Sequence, residues 1–282
     1  MLTLHKLSGG TIPYKTTLFP GGEPFIQIDP EDMICEDVWI EAHLNNMVDF
    51  GYLLAACDVL SQYAHFLGLY IPYFPGARQD HPMPGTPNTL RINVETLTQF
   101  GFDCIIVADP HSFKLVEVLS QISVVHSIRP HHILECYKGR YNGVIAPDKG
   151  ATQRVQMVAE EWGVPVIQCE KIREQATGKL SGFRAGILPG IGRYLMVDDI
   201  CDGGGTFIGL AEQFRKTTVG GASVIDLYTT HGIYSKGFRP LTDAFERIIT
   251  TNSFSFYGTR PRQLEVIDIT PLASAVMQRR LV

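Results

Sequence analysis

A chain of 282 residues is longer than one typical domain and shorter than three. Apolar residues make up 45% and charged residues 19%, as in a globular protein with a sizeable core, and a formal net charge of −5 argues against a nucleic-acid-binding surface. No apolar run reaches the roughly 18 residues of a membrane span, and the opening Met-Leu-Thr-Leu-His-Lys-Leu-Ser-Gly-Gly lacks the apolar stretch of a signal peptide, so a cytoplasmic location is expected.

In chain order, apolar β-like runs are expected at Pro24-Ile28, Val38-Ala42, Leu69-Pro72, Cys104-Ala108, Gly143-Ala146, Pro165-Gln168, Tyr194-Val197, Ser223-Tyr228 and Leu264-Ile269. Between them, helices are expected over Met47-Gly68, Asn88-Phe100, Ala151-Trp162, Thr206-Lys216 and Pro271-Arg280. Asn88 or Thr89 can cap the second helix, while Gly101 and Gly163 can end the second and third. Strand followed by helix, repeated, predicts an α/β fold whose parallel sheets are covered on both faces. Two such units follow one another, joined near Ile128-Lys138. Six cysteines (Cys35, Cys57, Cys104, Cys136, Cys169 and Cys201) are scattered without a C-x-x-C pair, which predicts buried reduced thiols rather than disulfides or zinc ligands.

In open α/β sheets, ligands bind beyond the carboxyl ends of the strands, so the informative residues should lie where strands stop. The run Tyr194-Leu-Met-Val197 leads straight into Asp198-Asp199-Ile-Cys-Asp202-Gly203-Gly204-Gly205-Thr206 and then an amphipathic helix. Adjacent carboxylates at a strand end repel each other and need a sugar diol, a metal or a cation. Three glycines let the backbone turn tightly beside a ligand. Thr206 and the first free helical N–H groups face that turn, which suits a phosphate. The bland alternative is a glycine-rich turn with an acidic cap.

The whole string resembles the phosphoribosyl-diphosphate (PRPP) loop shared by type I phosphoribosyltransferases and PRPP synthetases. That resemblance implies that Asp198 and Asp199 hold the ribose 2- and 3-hydroxyls and that Asp202, Gly203, Gly204, Gly205 and Thr206 hold the 5-phosphate. Gly203 stands where the family usually has Thr, which removes a hydroxyl and adds room.

Further segments resemble the synthetases, or ribose-phosphate pyrophosphokinases, in particular. Ile71-Pro-Tyr-Phe-Pro-Gly-Ala-Arg78-Gln79-Asp80 is similar to a segment whose Arg and Gln contact ATP, and Arg offers phosphate a rigid fork. Phe19-Pro-Gly-Gly-Glu23 is similar to a hairpin whose aromatic stacks on adenine, often in a neighbouring subunit's site, with Gly21 in place of the usual Asp. Asp109-Pro-His111 is similar to a D-L-H that helps to hold catalytic Mg²⁺; the ion prefers oxygen, so phosphates and waters must complete its shell. Pro147-Asp148-Lys-Gly150 resembles the family's S-P-D-x-G, with Arg154 displaced by one position, and implies that Asp148 lies near the ribose and the metal waters. Glu170-Lys171-Ile-Arg173, followed by Gly178 and Gly182, resembles the base of a mobile catalytic hairpin, where Lys171 and Arg173 would stabilise the transferring group.

The resemblance implies two tandem phosphoribosyltransferase-like domains. Residues 1–130 would carry the ATP site and be completed by 264–282, and residues 131–263 would carry the ribose phosphate site. The implied activity moves a diphosphoryl group from Mg-ATP to the 1-hydroxyl of ribose 5-phosphate. ADP-ribose is the alternative acceptor, because Gly203 enlarges the phosphate pocket. A phosphoribosyltransferase and a non-catalytic regulatory subunit are further alternatives. The expected partners are ATP and ribose 5-phosphate or ADP-ribose, with neither nucleic acid nor membrane, in a homo-oligomer (dimer or hexamer).

Overall fold

The structure, a computed structural model, describes residues 1–33, 36–173, 180–217, 223–256 and 259–279. In chain order the first elements are β1 (Leu2–Lys6), β2 (Tyr14–Leu18), β3 (Pro24–Ile28), β4 (Asp37–Ala42), α1 (Met47–Leu60), β5 (Phe66–Tyr70), α2 (Thr89–Leu97), β6 (Cys104–Ala108), α3 (Phe113–Leu119) and β7 (Val124–Ile128). After them come α4 (Pro130–Ile133), β8 (Gly143–Ala146), α5 (Thr152–Trp162), β9 (Val166–Gln168), β10 (Glu170–Arg173) and β11 (Leu180–Arg184). The chain continues with β12 (Arg193–Cys201), α6 (Gly205–Thr217), β13 (Val224–Gly232), α7 (Arg239–Thr242), β14 (Ile248–Thr251), β15 (Leu264–Ile267) and α8 (Thr270–Gln278). They divide into two compact units, residues 1–128 with 270–282, and residues 129–269.

The first unit is built on a sheet of order β1-β4-β5-β6-β7, parallel except for β1. All five residues of β6 are buried, as a strand covered by helices on both faces requires. A separate hairpin, β2–β3, stands on α1: Pro24 packs against Gly51 so closely that a Cβ there would lie 2.6 Å from its Cγ. The second unit holds an all-parallel sheet of order β15-β14-β13-β12-β8-β9 and a second hairpin, β10–β11. An α/β architecture with parallel sheets is therefore what the chain adopts. Asn88 caps α2 by accepting from the Arg91 amide, and Gly163 ends α5 with a left-handed φ of 68°.

Four expectations are corrected. The helix expected over Met47-Gly68 ends at Leu60, and Phe66–Tyr70 is strand β5 between β4 and β6. Gly68 lies in a tight seam there, since a Cβ would meet Met277 Sδ at 2.9 Å and Trp39 Cβ at 3.0 Å. Strand β12 runs on to Cys201, so Asp198 and Asp199 lie within it; β13 continues alongside and pairs Asp198 with Thr229 and Ile200 with His231. Leu264–Ile267 does not complete the first unit but pairs in parallel with β14 at the edge of the second sheet. Finally, Cys57, Cys104, Cys169 and Cys201 are buried free thiols, whereas Cys136 is exposed on a one-turn 3₁₀ segment; Cys35 lies outside the described residues.

Candidate active site

In the second unit, the carboxyl ends of β8, β12 and β13 and the hairpin β10–β11 carry the polar residues. Asp148 follows β8 in a turn that its own side chain stabilises, with Oδ1 accepting from the Ala151 amide at 3.1 Å. Its other oxygen pairs with Lys171 Nζ at 2.6 Å. Burial alone would raise the Asp148 pKa, but the hydrogen bond and charge of Lys171 hold it below the usual carboxylate range.

Lys171 is held there by packing as well as by charge. In the hairpin it pairs with Phe183, whose ring lies against Gly209 of α6; a Cβ at Gly209 would collide with that ring. The strand with the lysine is thus docked on the helix that grows out of the glycine turn. Arg173 ends β10, but its side chain, like Gly178, lies outside the described residues.

Arg154, on the first turns of α5, reaches both acids of β12, with its guanidinium 3.2 Å from Asp198 Oδ1 and 3.5 Å from Asp199 Oδ1. The Asp199 amide also donates to Asp198 Oδ1 at 2.9 Å. Burial, and then the adjacent Asp199 carboxylate, push Asp198 well above the usual range, while Arg154 pulls it back. This buried pair is poised for a partner that brings hydroxyl donors or positive charge. Arg154 thus compensates the twin charges in this structure.

Asp202 and Gly203 then turn the chain, and Gly204 takes a φ of 73°, which an L side chain rarely adopts; a Cβ there would also meet Leu241 at 2.8 Å. Helix α6 begins at Gly205, one residue before the expected start, so the unpaired N–H groups of Gly205 and Thr206 open its first turn. Gly205 is open, with nothing within 4 Å of a Cβ built on it.

In the first unit, the loops after β5 and β6 are stitched together through Asp80. Its carboxylate accepts from Ser112 Oγ at 2.5 Å and meets His81 Nδ1 at 2.9 Å, while its carbonyl accepts from Lys114 Nζ at 2.7 Å. These bonds commit Asp80 to holding the loops, with Arg78 and Gln79 exposed beside it on one loop and His111 exposed on the other. Asp109, at the tip of β6, is fully buried at a φ of 33°, a strained setting for the turn that presents His111. Phe19 and Glu23 sit on the β2–β3 hairpin, where the Phe19 amide donates to the Glu23 carbonyl at 3.0 Å. The Phe19 ring is 47% exposed, enough to offer a face to a ligand. The Glu23 carboxylate folds over Gly21, 2.6 Å from where a Cβ would stand, so the acid usual at that position would not fit without rearrangement.

No model of a known protein family matches the chain. The ribose-phosphate pyrophosphokinase of Mycoplasmopsis pulmonis is 28% identical over 282 aligned positions, covering 93% of this chain and 84% of its own length. That of Aquifex aeolicus is 27% identical over 285 positions, with 93% and 86% covered. Over nearly its whole length the chain is thus similar to ribose-phosphate pyrophosphokinases. The crystal structure of phosphoribosylpyrophosphate synthetase from Mycobacterium smegmatis matches with a TM-score of 0.82 at 24% identity, covering 98% of this chain and 92% of that one, so the two share a fold.

Beside the pyrophosphokinase motifs, sequence reading missed Lys114 and Lys236. Lys114 is called for by no motif. Lys236 follows β13, at the carboxyl edge of the sheet where ligands gather, and that position was the available signal. Among the described residues, no group of three or more His, Cys, Asp or Glu side chains converges to cage a metal. Among the described residues no helix is long and apolar enough to cross a membrane.

Proposed function

We propose that this chain is a ribose-phosphate diphosphokinase that transfers the diphosphoryl group of ATP to ribose 5-phosphate. The reading is carried by one arrangement: paired acids, a glycine turn at a helix start, and a lysine–aspartate pair, all within one unit. Asp198 and Asp199 accept the ribose 2- and 3-hydroxyls, and Arg154 then needs only one of its present partners. The amides of Gly204, Gly205 and Thr206, with Asp202 and Gly203 shaping the turn, hold the 5-phosphate. The 1-hydroxyl oxygen attacks the β-phosphorus, the bond from that phosphorus to the α–β bridging oxygen breaks, AMP leaves with that oxygen, and the hydroxyl proton passes to solvent. Positioning and charge carry such a transfer, since little covalent chemistry falls to the protein.

The first unit supplies the ATP contacts, Arg78 and Gln79 to phosphates and Phe19 and Glu23 to the base, with Asp80 holding the loop. Lys171 and Arg173 stabilise the charge of the transferring group. Mg²⁺, when bound, neutralises the phosphate oxygens; Asp148 and His111 are the residues that would assist it. The names of the relatives support an enzyme of nucleotide biosynthesis, and a cytoplasmic location and a homo-oligomer complete the proposal.

A second reading is favoured by a specific observation: Gly205 is open, with nothing within 4 Å of a Cβ built on it, so the cradle admits an acceptor whose 5-phosphate is extended, such as ADP-ribose, although the space beside Gly203 is taken by the Lys236 stem. The protein is incubated with ATP, Mg²⁺ and either acceptor, and AMP and product mass are measured. AMP and 5-phosphoribosyl 1-diphosphate from ribose 5-phosphate support the first reading, and a mass gain on ADP-ribose alone supports the second. AMP formation with neither acceptor rejects both, and base-dependent diphosphate release without ATP would mark a phosphoribosyltransferase.

A further inference from the structure

Two of the cations in the second unit's site are already committed. Arg154 bridges Asp198 and Asp199, and Lys171 is paired with Asp148. A phosphate entering the glycine turn would therefore be repelled by the carboxylates around it, while Arg154 and Lys171 are already committed to those carboxylates and not to the phosphate. Backbone amides alone would have to offset that repulsion.

Lys236 lies where a further cation is needed. Its stem runs along Gly203: a Cβ built on that glycine would lie 3.2 Å from Lys236 Cε, 3.3 Å from Cδ and 3.7 Å from Cγ. Gly203 has no left-handed φ, so backbone conformation does not call for glycine there. What the missing side chain provides is a bed for the lysine. The loop bearing Lys236 is tied to the end of β12, because the Cys201 carbonyl accepts from the amides of Ile233 at 2.9 Å and Tyr234 at 3.1 Å. The same strand end thus anchors both the acid-rich turn and the lysine that lies over it. Lys236 is exposed and, among the described residues, has no acidic partner. Its ammonium is one bond beyond a carbon already in contact with the turn.

Resting on the function proposed above, we infer that Lys236 is a phosphate-binding residue of the acceptor site. Its ammonium supplies the mobile cationic half of a pocket whose fixed half is the amides of Gly204 to Thr206. The residue pair Gly203 and Lys236 then acts as one device: the hydroxyl contact a side chain would make at residue 203 is replaced by a charge reaching in from the loop after β13. An ammonium on a flexible stem can follow a phosphate that is single or extended, which a fixed hydroxyl cannot.

The test uses the whole protein and two variants. Lys236→Met keeps the stem over Gly203 and removes the charge; Lys236→Arg restores a charge. Binding of ribose 5-phosphate, of ADP-ribose and of ATP is measured by calorimetry, with steady-state kinetics for whichever acceptor reacts. The acceptor that binds the parent protein should bind Lys236→Met about tenfold more weakly, the scale of one lost charged hydrogen bond. Its KM should rise by a similar factor with kcat and ATP binding little changed, and Lys236→Arg should recover most of the loss. Unchanged acceptor affinity in Lys236→Met, with the parent binding normally, overturns the inference and leaves the proposed reaction standing. If the parent binds neither acceptor and forms no AMP, the reaction and the inference fall together.

Discussion

At the residue scale, the site is a set of charges that restrain one another. Lys171 holds Asp148 ionised from 2.6 Å, and Arg154 holds two acids that would otherwise repel. A lysine paired in this way is placed to act as an electrostatic clamp. Lys171→Met, which preserves the stem and removes the charge, should lower turnover by about a thousandfold, the scale of a lost phosphoryl-clamping cation. AMP formation with saturating ATP and acceptor measures it, with circular dichroism to confirm folding. Turnover within a few-fold of the parent would rule out that role.

Glu41 shows the same logic away from the site. It is only 8% exposed, and it meets His43 at 2.7 Å, His5 at 3.0 Å and the Thr270 hydroxyl at 2.6 Å. Burial alone would raise its pKa, but these hydrogen bonds together hold it well below the ordinary 4.5. A carboxylate depressed on folding contributes stability that is complete above its unfolded pKa and is lost as pH falls through the folded value. Glu41→Gln should therefore cost about 1–3 kcal/mol at pH 7. The difference from the parent should shrink as the pH is taken below 4.5. Urea unfolding at pH 7 and pH 3.5 checks this, and a gap that stays constant would show that the charge of Glu41 is not what stabilises the fold.

At the element scale, the hairpin β10–β11 and helix α6 form one working part. Phe183 seats the hairpin on Gly209, and the same helix begins at the glycine turn. Gly209→Ala puts a methyl group into the aromatic ring, so the hairpin must lift while the turn four residues upstream keeps its shape. Overpacking of this kind costs about 1–3 kcal/mol. We expect turnover to fall by about tenfold or more with acceptor affinity retained, read as kcat against calorimetric Kd. Equal losses in both would mean that the helix itself had moved.

At the scale of the whole molecule, the chain leaves its first unit after β7 and returns to it only with α8, whose Ala273 and Met277 are fully buried. Removing residues from Thr270 onward would strip Met277 from the seam at Gly68 and Trp39 and leave the second sheet's strands complete. Such a truncation should expose amides of β4–β7 to hydrogen exchange while those of β12–β14 stay protected. Uniform protection would show that α8 adds little to the first unit.

The strand tips and glycine turn were legible in the sequence because their chemistry is local: Asp198-Asp199 through Thr206 is one unbroken string, and Asp109 to His111 is another. The buried runs of β6, β8 and β12 were also legible, since a strand covered on both faces must be continuously apolar. Other features depended on partners distant in the chain. Phe66 to Gly68 read as the tail of a helix until β4 and β6 claim their hydrogen bonds and extend the strand expected from Leu69. Leu264–Ile267 could join either unit until β14 offers an edge. Arg154 and Lys236 gain their meaning from residues 44 and 33 positions away, so only the folded chain sets them against Asp198 and Gly203. Residue type fixed which chemistry was available, and long-range packing decided which charges face one another, because electrostatic and steric contacts depend on distance in space and not along the chain.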